Sequence, residues 1–418
     1  MTFRAEITFE ITTPAYAGGS DVMESDGLRP PTLKALLRFW WRTMHADIQP
    51  QDLYAREAAI FGSTNTGQGI RIIPVNSRVL RTEKITPYRP NQLSPLFYMA
   101  YGAQDRDNQP RPRIVCGQSV TYKIVSGRHC TQEQWSEVTS AIWLLGTFGG
   151  VGSRSRRGFG SLSLISVLDD TDAESGEKDT LLAAGCQSRA DVCQRISASL
   201  SSVVSTAARP DFSAFSKLTR VVVGKPARTW ESALIDAGSV YYELRRALGT
   251  TYNHGPRNAP VGMDFRRICY YGRIPPNNAI NKATLGSAFG LPHNYQFSSP
   301  PGGRGYGRRW SPSIQVEIDD KEARRASPVF FHVAKIATGE YVPIVLWLRS
   351  RFLPEDEDVN LHFKDGKPHS VSPVDDSIIG CLFDRGPTNL RNWINDVEQT
   401  PIRFTGYLGR PGWQEVKL

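Results

Sequence analysis

The sequence predicts an α+β protein made of two tandem ferredoxin-like (RRM-like) βαββαβ domains with insertions. Three observations carry that expectation. The chain opens on strict period-two alternation, residues 1–168 read in the order strand, helix, strand, strand, helix, strand, and a degenerate copy of that order returns further on. The 418 residues are about twice an ordinary domain, which fits two folding units. Hydrophobic residues at 40% exclude a disordered chain.

Phe3, Ala5, Ile7, Phe9 and Ile11 alternate with Arg4, Glu6, Thr8, Glu10 and Thr12, the pattern of a half-buried strand. Pro30, Pro31 and Thr32 then open a helix running to about Asp47. A second helix is expected over 52–60 and strands over 69–75 and 117–125. The connection between those strands holds Pro87, Pro90, Pro95, Pro110 and Pro112, too many for a regular element. Thr131 and Gln134 form a capping box for a helix through Phe148, and 160–168 reads as the closing strand. These elements make a first domain over 1–168.

An acidic run from Asp169 to Thr180 and a Ser/Ala-rich helical stretch form a linker over 169–212. The second domain is expected over 213–418. Its strands are placed at 218–224, 314–319, 328–337, 341–351 and 402–408, its helices at 238–249 and 388–397, and an insertion at 252–312.

Charge points to an anionic partner. Lys and Arg number 50 against 41 Asp and Glu, for a formal net charge of +9, and 38 of the 50 are Arg. Arginine suits forked phosphate contacts and stacking on bases. Residues 1–160 carry 19 basic and 13 acidic residues, so the first domain is the better anchor. No window approaches 18 uninterrupted apolar residues, and the N-terminus has no apolar block of the signal-peptide kind, so a cytoplasmic protein without a membrane span is expected. Six scattered cysteines form no C-x-x-C pair, and seven histidines form no H-x-x-x-H or H-E-x-x-H, which argues against a metal centre. Neither a Walker A loop nor a G-x-G-x-x-G occurs, so no nucleotide cofactor is expected.

Three segments have the chemistry of an RNA interface. On the helix from Thr32 to His45, Lys34, Arg38 and Arg42 fall at i, i+4, i+8 and line one face, with Trp41 and His45 on the neighbouring line. Cations hold phosphates and exposed rings stack bases. The alternative is an amphipathic helix with a solvated face, but three adjacent rings, Phe39, Trp40 and Trp41, are not expected all to point inward. The stretch from Gly149 to Gly160 (GGVGSRSRRGFG) places Arg154, Arg156 and Arg157 among glycines that let backbone N–H groups approach a phosphate; a flexible solvated turn is the competing reading. In the insertion, PPGGRGYGRRW adds Arg304, Arg308 and Arg309, either as RNA contacts or as a hairpin tip. His45 beside the basic stripe could serve as a general acid/base in RNA cleavage, and Asp21 could assist, but no catalytic set surrounds either.

Three stretches together resemble the RAMP superfamily of CRISPR proteins: TPAYAGGSD from Thr13 to Asp21, PPTLKALLRFWWR from Pro30 to Arg42, and GGVGSRSRRGFGS from Gly149 to Ser161. Within it, the chain looks like the first-named RAMP subunit of the type III-B Cmr effector complex. The segments from Arg325 to Phe331 and from Leu285 to Pro292 resemble its second half. Ala35 stands where that family pattern has glycine. The resemblance implies tandem ferredoxin-like domains and a non-catalytic subunit that caps the complex near the crRNA 3′ end and helps capture target RNA. Its implied partners are crRNA, target RNA and the other RAMP subunits. Lys34, Arg38, Arg42, Arg154, Arg156 and Arg157 fall in the RNA-facing motifs of that family. The alternative function is a metal-independent endoribonuclease that processes CRISPR precursor RNA.

Overall fold

The computed structural model describes residues 2–418 except 22, 66, 76–78, 86–93, 104–108, 170–184, 206–209, 248–284, 292, 295–312, 319–320, 352–357, 363–368, 372–376, 381, 384–407 and 409–411. It is an α+β protein with antiparallel sheets. The described residues fall into two compact units, one drawn from 1–238, 329–349 and 412–418, the other from 239–328 and 350–411.

The first unit holds two four-stranded sheets. Strand β1 (Arg4–Ile11) alternates exposed or half-buried with fully buried positions, as its sequence pattern requires. Helix α1 (Pro30–Thr43) starts on two prolines, and α2 (Pro50–Phe61) likewise begins on Pro50. Then come β2 (Arg71–Pro74), a short helix α3 (Pro95–Ala100), β3 (Gln118–Val125), α4 (Gln132–Phe148) and β4 (Leu162–Asp169). The sheet order is β2-β3-β1-β4, all antiparallel. The Thr131 capping box forms as expected, with the Thr131 hydroxyl accepting from Gln134 N and the Gln134 side chain accepting from Thr131 N.

The proline-rich connection before β3 contains more regular structure than its composition predicts. Pro95 occupies the first turn of α3, where its missing N–H costs nothing, and Ser94 caps that turn by accepting from Phe97 N at 3.1 Å. Residues 82–83 pair with 113–114 further along.

Beyond α5 (Arg189–Leu200), which Ser188 and Asp191 cap, the second sheet is built from β5 (Arg220–Val223), β6 (Val329–Lys335), β7 (Tyr341–Trp347) and β8 (Gln414–Glu415), in the order β6-β7-β5-β8. Its helix, α6 (Trp230–Ala247), starts eight residues before the expected 238. Gly238 reads as a boundary in sequence, yet it sits mid-helix because a Cβ there would meet Met99 Cγ at 3.0 Å. The expected strand at 314–319 exists as 313–318 but pairs with 293–294, 321–323 and 358–362 in a separate sheet of the second unit. The expected helix at 388–397 and all but Leu408 of the strand at 402–408 lie outside the described residues. Within the second unit, Arg245 is buried, donates to Gly286 O at 2.9 Å and stands 5.5 Å over the Phe289 ring.

In the first unit α1 and α4 pack on each other, and α4 also packs on β4, β6 and β7. The core runs from Ile7 and Phe9 of β1 through Trp40 and Leu145 to Phe330 and Ile344. The free edge of β6 is closed by Ser163 of β4 and by residues of the loops that flank β1 and β4. Phe331 N donates to Arg156 O, Val333 N to Ser161 Oγ and Lys335 N to Ser163 Oγ, while Thr12 Oγ1 donates to Val333 O at 2.6 Å. A Glu10–Lys335 ion pair at 2.8 Å ties β1 to β6.

Candidate nucleic-acid interface

The cations of α1 share one face, as their spacing dictates, but that face is engaged within the protein. Arg42 Nη1 reaches Glu57 Oε2 at 2.7 Å, and Arg38 Nη1 stands 3.5 Å from Glu57 Oε1 while its Nη2 donates to Gly62 O. Lys34 Nζ donates to Ile70 O at 3.0 Å, and partial burial, followed by the neighbouring Arg38 charge, lowers its pKa. One carboxylate thus offsets two arginines, and the stripe keeps an excess of positive charge.

The expected aromatic stacking surface beside the stripe is not there. Trp41 is fully buried and its indole N–H donates to Glu137 Oε2 at 2.7 Å. The His45 ring lies against Trp41 at a 50° tilt with ring centroids 4.3 Å apart, and its Nε2 stands 3.6 Å from the same carboxylate. Burial pushes Glu137 up, yet the neighbouring His45 imidazole and the Trp41 hydrogen bond together outweigh it and leave the carboxyl below the usual range. All three adjacent rings find apolar neighbours. Trp40 lies 5.4 Å from Phe330, Phe39 lies 5.8 Å from Phe330, and Trp41 lies 6.1 Å from Phe61. A helix packed on α4, α2 and β6 has more than one inward face, which a single amphipathic stripe does not anticipate.

The glycine-rich segment is an ordered connection, not a flexible turn. Val151 N donates to Gly160 O, Ser153 N to Tyr16 O and Gly160 N to Pro14 O. Gly160 has φ +68°, and a Cβ on it would stand 2.1 Å from Val151 O. Thr13 Oγ1 donates to Gly158 O at 2.7 Å and accepts from Ser161 N at 2.9 Å, so the N-terminal loop and the glycine-rich loop form one body.

The three loop arginines have separate environments. Arg156 is held between two rings, 5.1 Å from Phe39 and 4.5 Å from Phe330. Arg157 donates to Tyr98 O at 3.2 Å and lies 5.9 Å from the Tyr98 ring. Arg154 adopts φ +68°, uncommon for a residue with a side chain, while its carbonyl accepts from Arg157 N and Phe159 N. Its guanidinium lies over Gly102, where any Cβ would collide with it. Arg304, Arg308 and Arg309 lie outside the described residues. Asp21 is exposed and caps its own turn by accepting from Met23 N at 2.8 Å.

A second set of residues that sequence reasoning passed over joins these loops. Ala15 pairs with Ile114, and Tyr16 pairs with Ser153. Arg113, buried in the segment RPR from 111 to 113, donates from Nε to Glu83 Oε1 at 2.8 Å and lies beside the Tyr16 hydroxyl. Burial raises the Tyr16 pKa against the opposing Arg113 charge, so the phenol keeps its proton. Burial would lower Arg113, but Tyr16 and Glu83 outweigh it. The sequence signal was available: arginines two apart in an extended stretch share a face. Among the described residues no group of three or more His, Cys, Asp or Glu converges to hold a metal, and no helix is long and apolar enough to cross a membrane. The loops assemble an arginine-rich surface in which Arg154 and Arg157 are half-buried and Arg113 is buried.

Residues 8–163 match the family model described as the RAMP superfamily. No curated protein matches the chain. Among solved structures, a chain of the type III-B Cmr-β complex bound to cognate target RNA is 12% identical, with 91% of this chain and 98% of that one covered at a TM-score of 0.50. Cmr1 from Pyrococcus furiosus, in its apo form, is 20% identical over 84% of this chain and 90% of its own, with a TM-score of 0.47. At such identities the likeness is one of fold.

Proposed function

Since residues 8–163 carry the RAMP superfamily signature, we propose that this protein is a non-catalytic RNA-binding subunit of a type III-B CRISPR ribonucleoprotein. In this reading it consists of two ferredoxin-like modules in tandem, works in the cytoplasm, caps the complex near the crRNA 3′ end and helps capture target RNA beside the other RAMP subunits. The observation that carries it is the arginine-rich surface where the RAMP-matched loops 12–21 and 149–161 are fused into one body. Two further facts support it. Both sheets of the first unit follow the same order, with the first and third strands central. The fold likeness to a chain of the Cmr-β complex bound to target RNA spans 91% of the sequence. His45, the residue an endoribonuclease reading would use, has its ring on Trp41 and its Nε2 toward Glu137. His45→Ala is accordingly expected to leave RNA affinity unchanged and RNA intact.

The direct test is affinity purification of the tagged full chain from its native host, with the bound RNA and proteins identified. Short repeat-derived RNAs together with other RAMP proteins are the expected result; an RNA-free monomer would sink the reading. In filter binding, replacing Arg154 and Arg157 together by Gln should weaken single-stranded RNA binding. It should also flatten the log–log salt slope by about 1.4, at ~0.7 per lost phosphate contact.

A further inference from the structure

Polar atoms buried without partners are rare in folded proteins, and each one asks for an explanation. Three occur where the loops of the arginine-rich surface meet. The Tyr16 hydroxyl, the Ser153 hydroxyl and Arg111 Nε are buried and have no hydrogen-bond partner among the described residues. Tyr16 is only 3% exposed. Local geometry brings them together. Tyr16 and Ser153 are directly paired across an antiparallel bridge, so their side chains share a face. Arg113 lies beside the Tyr16 hydroxyl, close enough for its charge to act on the phenol, and Arg111 is two residues away on the same extended segment. Arg111 N donates to Ala103 O, next to the Gly102 that carries the Arg154 guanidinium. All three unpartnered groups are able to donate a hydrogen bond, and the acid that reaches Arg113 is Glu83.

We propose that Tyr16, Ser153 and Arg111, with Arg113 and Arg154 supplying charge, form a pocket for a single phosphate group. An oxyanion is what satisfies several converging donors in a positive field at once. A water molecule would satisfy some of the donors but would leave the positive charge uncompensated. The source of the phosphate, the backbone of a bound RNA, rests on the RNA-binding reading above; the pocket itself does not.

The experiment has two arms, both on the full chain. In the first, thermal unfolding is followed in chloride and in inorganic phosphate at matched ionic strength, for the wild type and for Tyr16→Phe/Ser153→Ala. Phosphate should raise Tm in the wild type and leave the double variant unmoved. In chloride the double variant should be at least as stable as the wild type, because it removes two unsatisfied hydroxyls, a gain no merely structural hydrogen bond would give. In the second arm, the double variant and Arg111→Gln are each expected to bind single-stranded RNA about tenfold more weakly, the loss of one charge-assisted hydrogen bond. RNA binding that is unaltered in both variants, with no phosphate-specific rise in Tm, overturns the pocket and leaves the RNA reading intact. A phosphate effect lost in the double variant, in a protein that binds no RNA, upholds the pocket and removes the RNA reading. No phosphate effect and no RNA binding overturns both.

Discussion

At the scale of single residues, the first unit buries a histidine, His332. Its imidazole is wholly buried, its Nδ1–H donates to Gly149 O at 2.9 Å, and Nε2 has no partner among the described residues. Burial pushes its pKa down from 6.5 to about 4, against the opposing effect of the Gly149 hydrogen bond. The folded protein therefore declines a proton that the unfolded chain accepts. Stability is full above pH 6.5 and falls between there and about pH 4. The slope is about 1.4 kcal/mol per pH unit, or ~3 kcal/mol over the window. Urea midpoints measured from pH 7 to pH 5 should show the decline, and His332→Gln should flatten it. Arg156 is a second such residue. Arg156→Lys keeps the charge but loses planar stacking on Phe39 and Phe330, an expected cost of about 1–2 kcal/mol by chemical denaturation. Sequence spacing located Arg156 in a basic loop. It did not reveal that one of the three loop arginines is consumed by packing, because its ring partners, Phe39 and Phe330, lie far away in sequence.

At the scale of elements, the edge of β6 is the feature least visible in the sequence. An uncovered edge strand invites pairing with other chains. Here the alternate serines of GSLSL, Ser161 and Ser163, accept from its N–H groups, and Arg156 O takes the next. The sequence marks 160–168 as a strand from its period-two pattern but gives no reason for serine at the alternating positions. That reason is a neighbouring strand from the other end of the chain. Ser161→Ala should speed hydrogen exchange at Val333 more than at Ile344 of β7, which has a backbone ladder on both sides, and should cost about 1–3 kcal/mol. Local signals worked where local physics decides, as at the Thr131 capping box and the alternating β1. They failed where tertiary packing overrides, as for the rings of α1 and the start of α6.

At the scale of the whole molecule, the first unit draws on the two ends and the middle of the sequence. The acceptors and donors that close β6 belong to residues 12–163, and β8 pairs with β5 through Gln414 and Val223. A fragment ending at residue 168 would leave Thr12, Ser161 and Phe39 without their β6 partners. It is expected to be less soluble than the full chain and less resistant to limited proteolysis, despite holding a complete four-stranded sheet. The strands of the first sheet were legible because each carries its own periodicity. The fourth strand of the second sheet, two residues long, was not, because two residues have no period to read.

That short strand sets a schedule for biosynthesis. The first sheet has all its strands once residue 169 has left the ribosome, whereas β5 lacks one neighbour until Gln414 and Glu415 follow. During that interval the nascent chain exposes an unfinished hydrogen-bonding rim, the kind of exposure that chaperones screen and that partner proteins exploit. Early release of the polypeptide by a stop codon near position 400 should therefore yield aggregates in cells, not a shorter soluble product.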